Sequence, residues 1–134
     1  MRSFHLEIVT PDGAAFVGEA ESLLIRTDDG DVEILASHAD FIAALGIGKA
    51  RIKLPGGEDR FASAAGGFIT VTADSVRVAA TTFEFAENID LSRARAAAER
   101  AQKALEVARD ARDERIARAK LARATSRINV ASLK

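Results

Sequence analysis

The chain has 134 residues and no cysteine, which allows one ordinary domain, or a small domain with an appendage, and leaves no disulfide framework or thiolate metal site. No stretch reaches the roughly 18 apolar residues a membrane-spanning helix needs, and the opening Met1-Arg2-Ser3-Phe4-His5 lacks the apolar segment of a secretory signal, so we expect a cytosolic or matrix-like setting with any membrane link through partners. The near-neutral total conceals a division: residues 1–87 hold 7 Lys/Arg against 14 Asp/Glu, a net of −7, whereas residues 88–134 hold 12 against 6, a net of +6.

Phe4, Leu6 and Ile8 alternate with His5, Glu7 and Val9, the period of two expected of a half-buried strand. Thr10-Pro11-Asp12-Gly13 is a turn, because Pro fixes φ and Gly accepts positive φ. Further short strands are predicted over residues 14–17, 22–27, 32–35, 41–45, 50–54, 60–64, 68–72 and 76–79. Turn signals separate them at Asp28-Asp29-Gly30-Asp31, Gly46-Ile47-Gly48, Pro55-Gly56-Gly57, Gly66-Gly67 and Ala73-Asp74-Ser75. Eight to ten strands at this spacing predict an all-β sandwich or barrel.

After Glu87 the pattern changes, and neither Gly nor Pro occurs beyond Gly67. Asn88 or Asp90 can cap a helix. Leu91, Ala94, Ala98, Ala101, Leu105 and Ala108 recur at helical spacing, and so do Ala117, Leu121, Ala124, Ile128 and Ala131. Both stripes are narrow seams filled mostly by alanine. Small side chains let helices approach closely but bury little area, at about 25 cal/mol per Å². The link Arg109-Asp110-Ala111-Arg112-Asp113-Glu114 contains no helix breaker. The sequence therefore permits both a folded hairpin and one continuous rod of roughly 68 Å at about 1.5 Å per residue.

The search for chemistry is short. His5 sits in an alternating strand and reads as a surface residue. Ser37, His38 and Asp40 are adjacent in sequence, which is not the geometry of a catalytic triad. Asp28, Asp29, Asp31 and Glu33 surround Gly30 but lack the length and the bidentate glutamate of a calcium loop, so a solvated turn is expected. Gly66-Gly67 is not followed by a phosphate-loop motif and is read as serving backbone conformation or close packing. The basic arm lacks aromatic residues for base stacking and carries six acids, which argues against a nucleic-acid role. A solvated coiled-coil surface, or an arm that meets acidic protein or bound nucleotide, remains.

The opening Phe4-His5-Leu6-Glu7-Ile8-Val9-Thr10-Pro11-Asp12-Gly13, then Ile34-Leu35 with His38-Ala39, Gly66-Gly67-Phe68 and the closing Arg127-Ile128-Asn129-Val130-Ala131 together resemble the ε subunit of bacterial F-type ATP synthases from end to end. The resemblance implies a mainly β plus α chain: a ten-stranded β sandwich over residues 1–87 and an antiparallel two-helix hairpin over 88–134. It implies a non-catalytic place in the central stalk, peripheral to the cytoplasmic face of the bacterial plasma membrane. Its partners there would be the γ subunit, the c-subunit ring and the β, with the α, subunits of the catalytic head. The sandwich would bind γ and the c ring, with Ile34, Leu35 and His38 at the rotor. The helices would restrain ATP hydrolysis, and Arg112, Arg115, Arg118 and Arg123 are the candidates for contacts with the head.

Some members of this family bind ATP as a regulatory ligand on the folded hairpin, through a motif of the form Ile/Leu-Asp-x-x-Arg-Ala. It stands here as Ile89-Asp90-Leu91-Ser92-Arg93-Ala94, with Glu84 before it and Arg123 and Arg127 on the second helix. Arginines at i and i+4 share a helix face and present planar donors to phosphate oxygens. Asp90 as a plain helix cap is the competing reading. No other cofactor, no metal and no direct membrane insertion is implied. The chain departs from the family at Glu33, often Gly, and at Ala36 and Asp40, often Pro. A free-standing β adaptor with a coiled-coil arm is the reading of a different class.

Overall fold

The computed structural model describes residues 2–73 and 75–133. Asp74, the middle of the predicted turn at 73–75, lies outside the described residues, as do Met1 and Lys134. Eight strands come first: β1 (Phe4–Thr10), β2 (Gly13–Ala20), β3 (Ser22–Thr27), β4 (Gly30–Leu35), β5 (Phe41–Ala44), β6 (Ile47–Lys53), β7 (Asp59–Thr72) and β8 (Ser75–Phe85). A 3-10 turn (Ala86–Asn88) leads into helices α1 (Leu91–Glu106) and α2 (Ala111–Ala131).

Two turns share one device. Thr10 and Thr27 each donate a hydroxyl hydrogen bond to the carbonyl of Gly13 or Gly30, and each accepts one from the amide of Asp12 or Asp29. The acidic cluster around Gly30 is therefore a turn. Asp31 pairs with Arg26 at 2.7 Å and Glu33 with Arg51. No group of three or more potential metal ligands occurs among the described residues.

The sequence divides β7 and stops β8 early, whereas in the structure both are long and belong to two layers. The first part of β7 pairs with β6, through Asp59–Ala65, and its last part pairs with β5, through Phe68–Val71. β8 pairs with β7 along its length and, over Ser75–Ala79 only, runs parallel to β1. One layer thus contains β2, β1, the start of β8, the end of β7, and β5. The other contains the end of β8, the start of β7, β6, β3 and β4. Counted by layer, eight strands supply the ten positions expected of the sandwich.

The crossing point of β7 is Gly66-Gly67. Gly67 has φ +100°, and a Cβ there would stand 1.9 Å from the carbonyl oxygen of Ala79. Only glycine lets the two long strands stay this close while β7 changes layer. Between the layers lies one core, in which Leu6, Ile8, Ile69, Val76 and Val78 meet Leu23, Ile25, Ile34 and Ile52, all buried.

Candidate functional site

The site is built on the outer face of the second layer. Cross-strand register places Ile47, Lys49 and Arg51 of β6 beside Ala65, Ser63 and Phe61 of β7, and Ser63 and Ala65 beside Glu84 and Thr82 of β8. Alternation turns Ala62 and Ala64 inward and leaves this polar row outward. α2 lies across it, against β6 and β7. The two seams predicted for the hairpin are formed. Ala94, Ala101, Ala117, Ala124 and Ala131 are buried, and most of the other seam residues are half-buried.

The hairpin is folded because the link supplies its own stop. α1 ends at Glu106, and Asp110 caps α2 by accepting a 2.8 Å hydrogen bond from the Asp113 amide. An N-cap side chain satisfies donors that the end of a helix exposes. No Gly or Pro was needed for the break, which is why the sequence left the rod open as an alternative.

Asp90 behaves as a cap. Its carboxylate accepts from the backbone amide of Arg93 at 3.1 Å. Ile89 and Ala94 are buried where the arm joins the sandwich, with Ala86, Val130 and Ala131 around them. Glu84 and Arg127 meet, the Arg127 Nε–H donating to Glu84 Oε1 at 3.0 Å. Beside them, the Oγ atoms of Ser63 and Ser126 are 2.8 Å apart.

Between α1 and α2 runs a groove of about 480 Å³ lined by four cations, Arg100, Lys120, Arg123 and Arg127, over a floor that includes Ala101 and Ala124. Arg123 and Arg127 were expected here. Arg100 and Lys120 were missed, although helical spacing carried the signal: Arg100 is seven residues after Arg93, and Lys120 lies one turn before Arg123 and two before Arg127. Arg93 is exposed one turn before the groove residue Ala97, on the same helix face by spacing. The groove can take a polyanion, since guanidinium forks pair with phosphate oxygens and a groove between helices desolvates them in part.

Arg112 and Arg115 are exposed at the hairpin tip, while Arg118 already pairs with Glu114 four residues before it, at 2.8 Å. Among the three candidates for rotor contact, Ile34 is fully buried in the sandwich core, so its side chain is not at the surface. Leu35 is exposed, and His38 has its ring 5.4 Å from that of Phe41.

Residues 3–86 match the family described as the β-sandwich domain of the ATP synthase delta/epsilon chain, and residues 87–132 match its long α-helix domain. The chain belongs to the ATP synthase delta/epsilon family. It is 36% identical over 132 residues to the ATP synthase epsilon chain of Halalkalibacterium halodurans, covering 98% of each chain. It is 39% identical over 131 residues to that of Bacillus velezensis, again covering 98% of each. The fold is also similar to a chain in the mitochondrial ATP synthase of Euglena gracilis, with a TM-score of 0.82 at 21% identity, covering 98% of this chain and 82% of that one. The break between the two family domains falls inside the 3-10 turn, one residue from the boundary that charge and composition mark.

Proposed function

We propose that this chain is a non-catalytic stalk subunit that couples the membrane ring to the catalytic head, with the sandwich as mount and the hairpin as regulator of ATP hydrolysis. The observation that carries the reading is the match of both parts, in order, to epsilon chains over 98% of their length. As such a subunit it sits peripherally, at the cytoplasmic face of the bacterial plasma membrane. None of its described helices is long and apolar enough to cross a membrane.

The bare outer face of the first layer suits the mount. Phe68 of β7 and Ile42 of β5 stand 58% and 69% exposed, and register aligns Ile42 with Thr70, Arg77, Glu7 and the 58% exposed Val17 in one row. An apolar patch crossed by one ion pair fits a partner held during every turnover. We assign this face to the γ subunit, and Leu35, His38 and the adjacent loop to the c ring. Arg112 and Arg115 at the tip, with Arg118 and Arg123, are assigned to acidic surfaces of the β and α subunits.

The four-cation groove supports ATP as the regulatory ligand, its phosphates on Arg123 and Arg127 and its occupancy favouring the folded arm. Calorimetric titration of the chain with ATP, alongside Arg93→Ala and Arg127→Ala, tests this, and saturable binding lost in both variants is the expected result. Deleting residues 88–134 tests the larger claim: the complex is expected to assemble and to hydrolyse ATP faster. Unchanged hydrolysis would remove the inhibitory role.

A further inference from the structure

α2 covers the sandwich incompletely. Beside the Ser63–Ser126 contact, on the side toward β6, helix and sheet stand apart and leave a cleft of about 460 Å³. That is the size of a small-molecule site. β6 supplies Ile47 and Lys49, α2 supplies Arg118, Leu121 and Val130, and Leu133 follows the helix. Arg118, Leu121 and Ala122 stand at i, i+3 and i+4, so one face of α2 forms the wall. The cleft shares no lining residue with the four-cation groove, whose α2 residues fall on the opposite face of that helix.

The walls are apolar at Ile47, Leu121, Val130 and Leu133, and each side adds one cation, Lys49 from the sheet and Arg118 from the helix. Among the described residues no carboxylate lines the cleft. Both cations have donors to spare. Lys49 makes no ion pair among the described residues, and Asp31 is already held by Arg26 at 2.7 Å. The Lys49 Nζ stands 5.8 Å from the centre of the Phe61 ring, a contact that uses none of its three N–H donors. Arg118 gives only two of the five guanidinium donors to Glu114, in an exposed pair.

We infer that this cleft binds a small amphiphilic anion, a fatty acid carboxylate, with its carboxylate on Lys49 and Arg118 and its alkyl chain along Ile47, Leu121 and Leu133. A bare anion would gain little there, because exposed ion pairs contribute little. A chain adds up to about fourfold in affinity for each methylene it buries. Two cations beside apolar walls suit a singly charged amphiphile, whereas the groove of four cations suits a polyanion. With no residue in common, the two sites stand or fall separately.

Calorimetric titration of the full chain with decanoate tests the site. Acetate serves as the anion without a chain, and decanol as the chain without an anion. Saturable binding of one decanoate is expected, at least about tenfold tighter than either control. Lys49→Gln removes a charge at an exposed position and is expected to weaken decanoate about tenfold while leaving decanol unchanged. Ala122→Phe, also at an exposed position, fills the cleft, keeps both cations and is expected to abolish binding. If Ala122→Phe does not fold, acylation of the Lys49 amine in the native chain gives the same reading, and it is expected to slow with decanoate and not with acetate. Absence of saturable binding, equal affinity for decanoate and decanol, or full affinity in Ala122→Phe would overturn the site. So would an affinity unmoved by both Lys49→Gln and Arg118→Gln, or Lys49 acylation indifferent to decanoate.

Discussion

The two outer faces of the sandwich are treated in opposite ways. The face under α2 is largely polar, with Lys49, Arg51, Ser63, Thr82 and Glu84 on it, yet it is covered. The opposite face carries Phe68, Ile42 and Val17, yet it is bare. If hydrophobic burial alone arranged the molecule, the arm would lie on the apolar side. On the polar side the arm is held by Ser63–Ser126 and Glu84–Arg127, with apolar contact gathered at the junction with the sandwich. The covered face is held largely by polar contact, and the bare face presents large apolar side chains.

The same contrast holds inside the two parts. Leu6, Ile8, Leu23, Ile25, Ile34 and Ile52 fill the sandwich, while the hairpin seam buries mostly alanine. At about 0.8 kcal/mol per buried methylene, the seam gains far less per residue. The sharpest way to break the sandwich is Gly67→Ala. The added methyl meets the Ala79 carbonyl in a backbone conformation that alanine resists, so a loss of roughly 3–5 kcal/mol is expected in denaturant unfolding of the whole chain. Breaking the arm takes less. Ala124→Leu overfills the buried seam and is expected to cost about 2 kcal/mol of hairpin stability. Hydrogen exchange in α1 and α2 should quicken while exchange in β7 and β8 holds. Equal acceleration in both parts would mean that they unfold as one unit.

A smaller effect is expected at the link between the helices. Asp110→Ala removes the cap of α2 and should cost about 1 kcal/mol, the usual size of an N-cap loss. It also sharpens the comparison, since without the cap the link no longer prefers a break. Spin labels on α1 and α2 should then show a larger share of long separations than in the native chain. An unchanged distribution would assign the fold of the hairpin to the alanine seam alone.

Much of this was legible in the sequence. The alternation of Phe4, Leu6 and Ile8, the glycine turns that follow Thr10 and Thr27, and the alanine stripes all declared themselves through local periodicity. What stayed hidden depended on pairs distant in sequence. β8 was cut short at Ala79 because Thr81 to Phe85 alternates weakly, and its outward residues make sense only beneath a helix that comes some 40 residues later. Gly66-Gly67 reads as a break, and only pairing on both sides shows one strand changing layer. The groove followed the same rule. The family resemblance pointed to Arg123 and Arg127, Lys120 lies on the same helix and was legible from its spacing, and Arg100 joins them only once α1 folds back on α2. Ile34 is the converse case, a residue assigned to the surface that strand alternation places in the core.

The smallest predicted effect concerns the junction that carries the arm. Arg60 of β7 lies over the Phe85 ring, 3.7 Å from its centre, and donates to Glu87 at 2.6 Å. That hydrogen bond, helped by one from the backbone, holds the Glu87 carboxyl below its ordinary value of 4.5. A carboxyl lowered on folding stabilises the folded chain above its unfolded value, and the contribution is lost as the pH falls through the folded value. Glu87→Gln should therefore unfold more easily than the native chain at neutral pH. The gap should be about 0.5 kcal/mol, the scale of an exposed ion pair. It should narrow as the pH falls below 4.5 and close once the native carboxyl is protonated. Denaturant midpoints of the two chains across this range test the pairing. A gap that persists in acid would mean that Glu87 acts through its shape in the 3-10 turn, and that charge does not hold the joint between mount and arm.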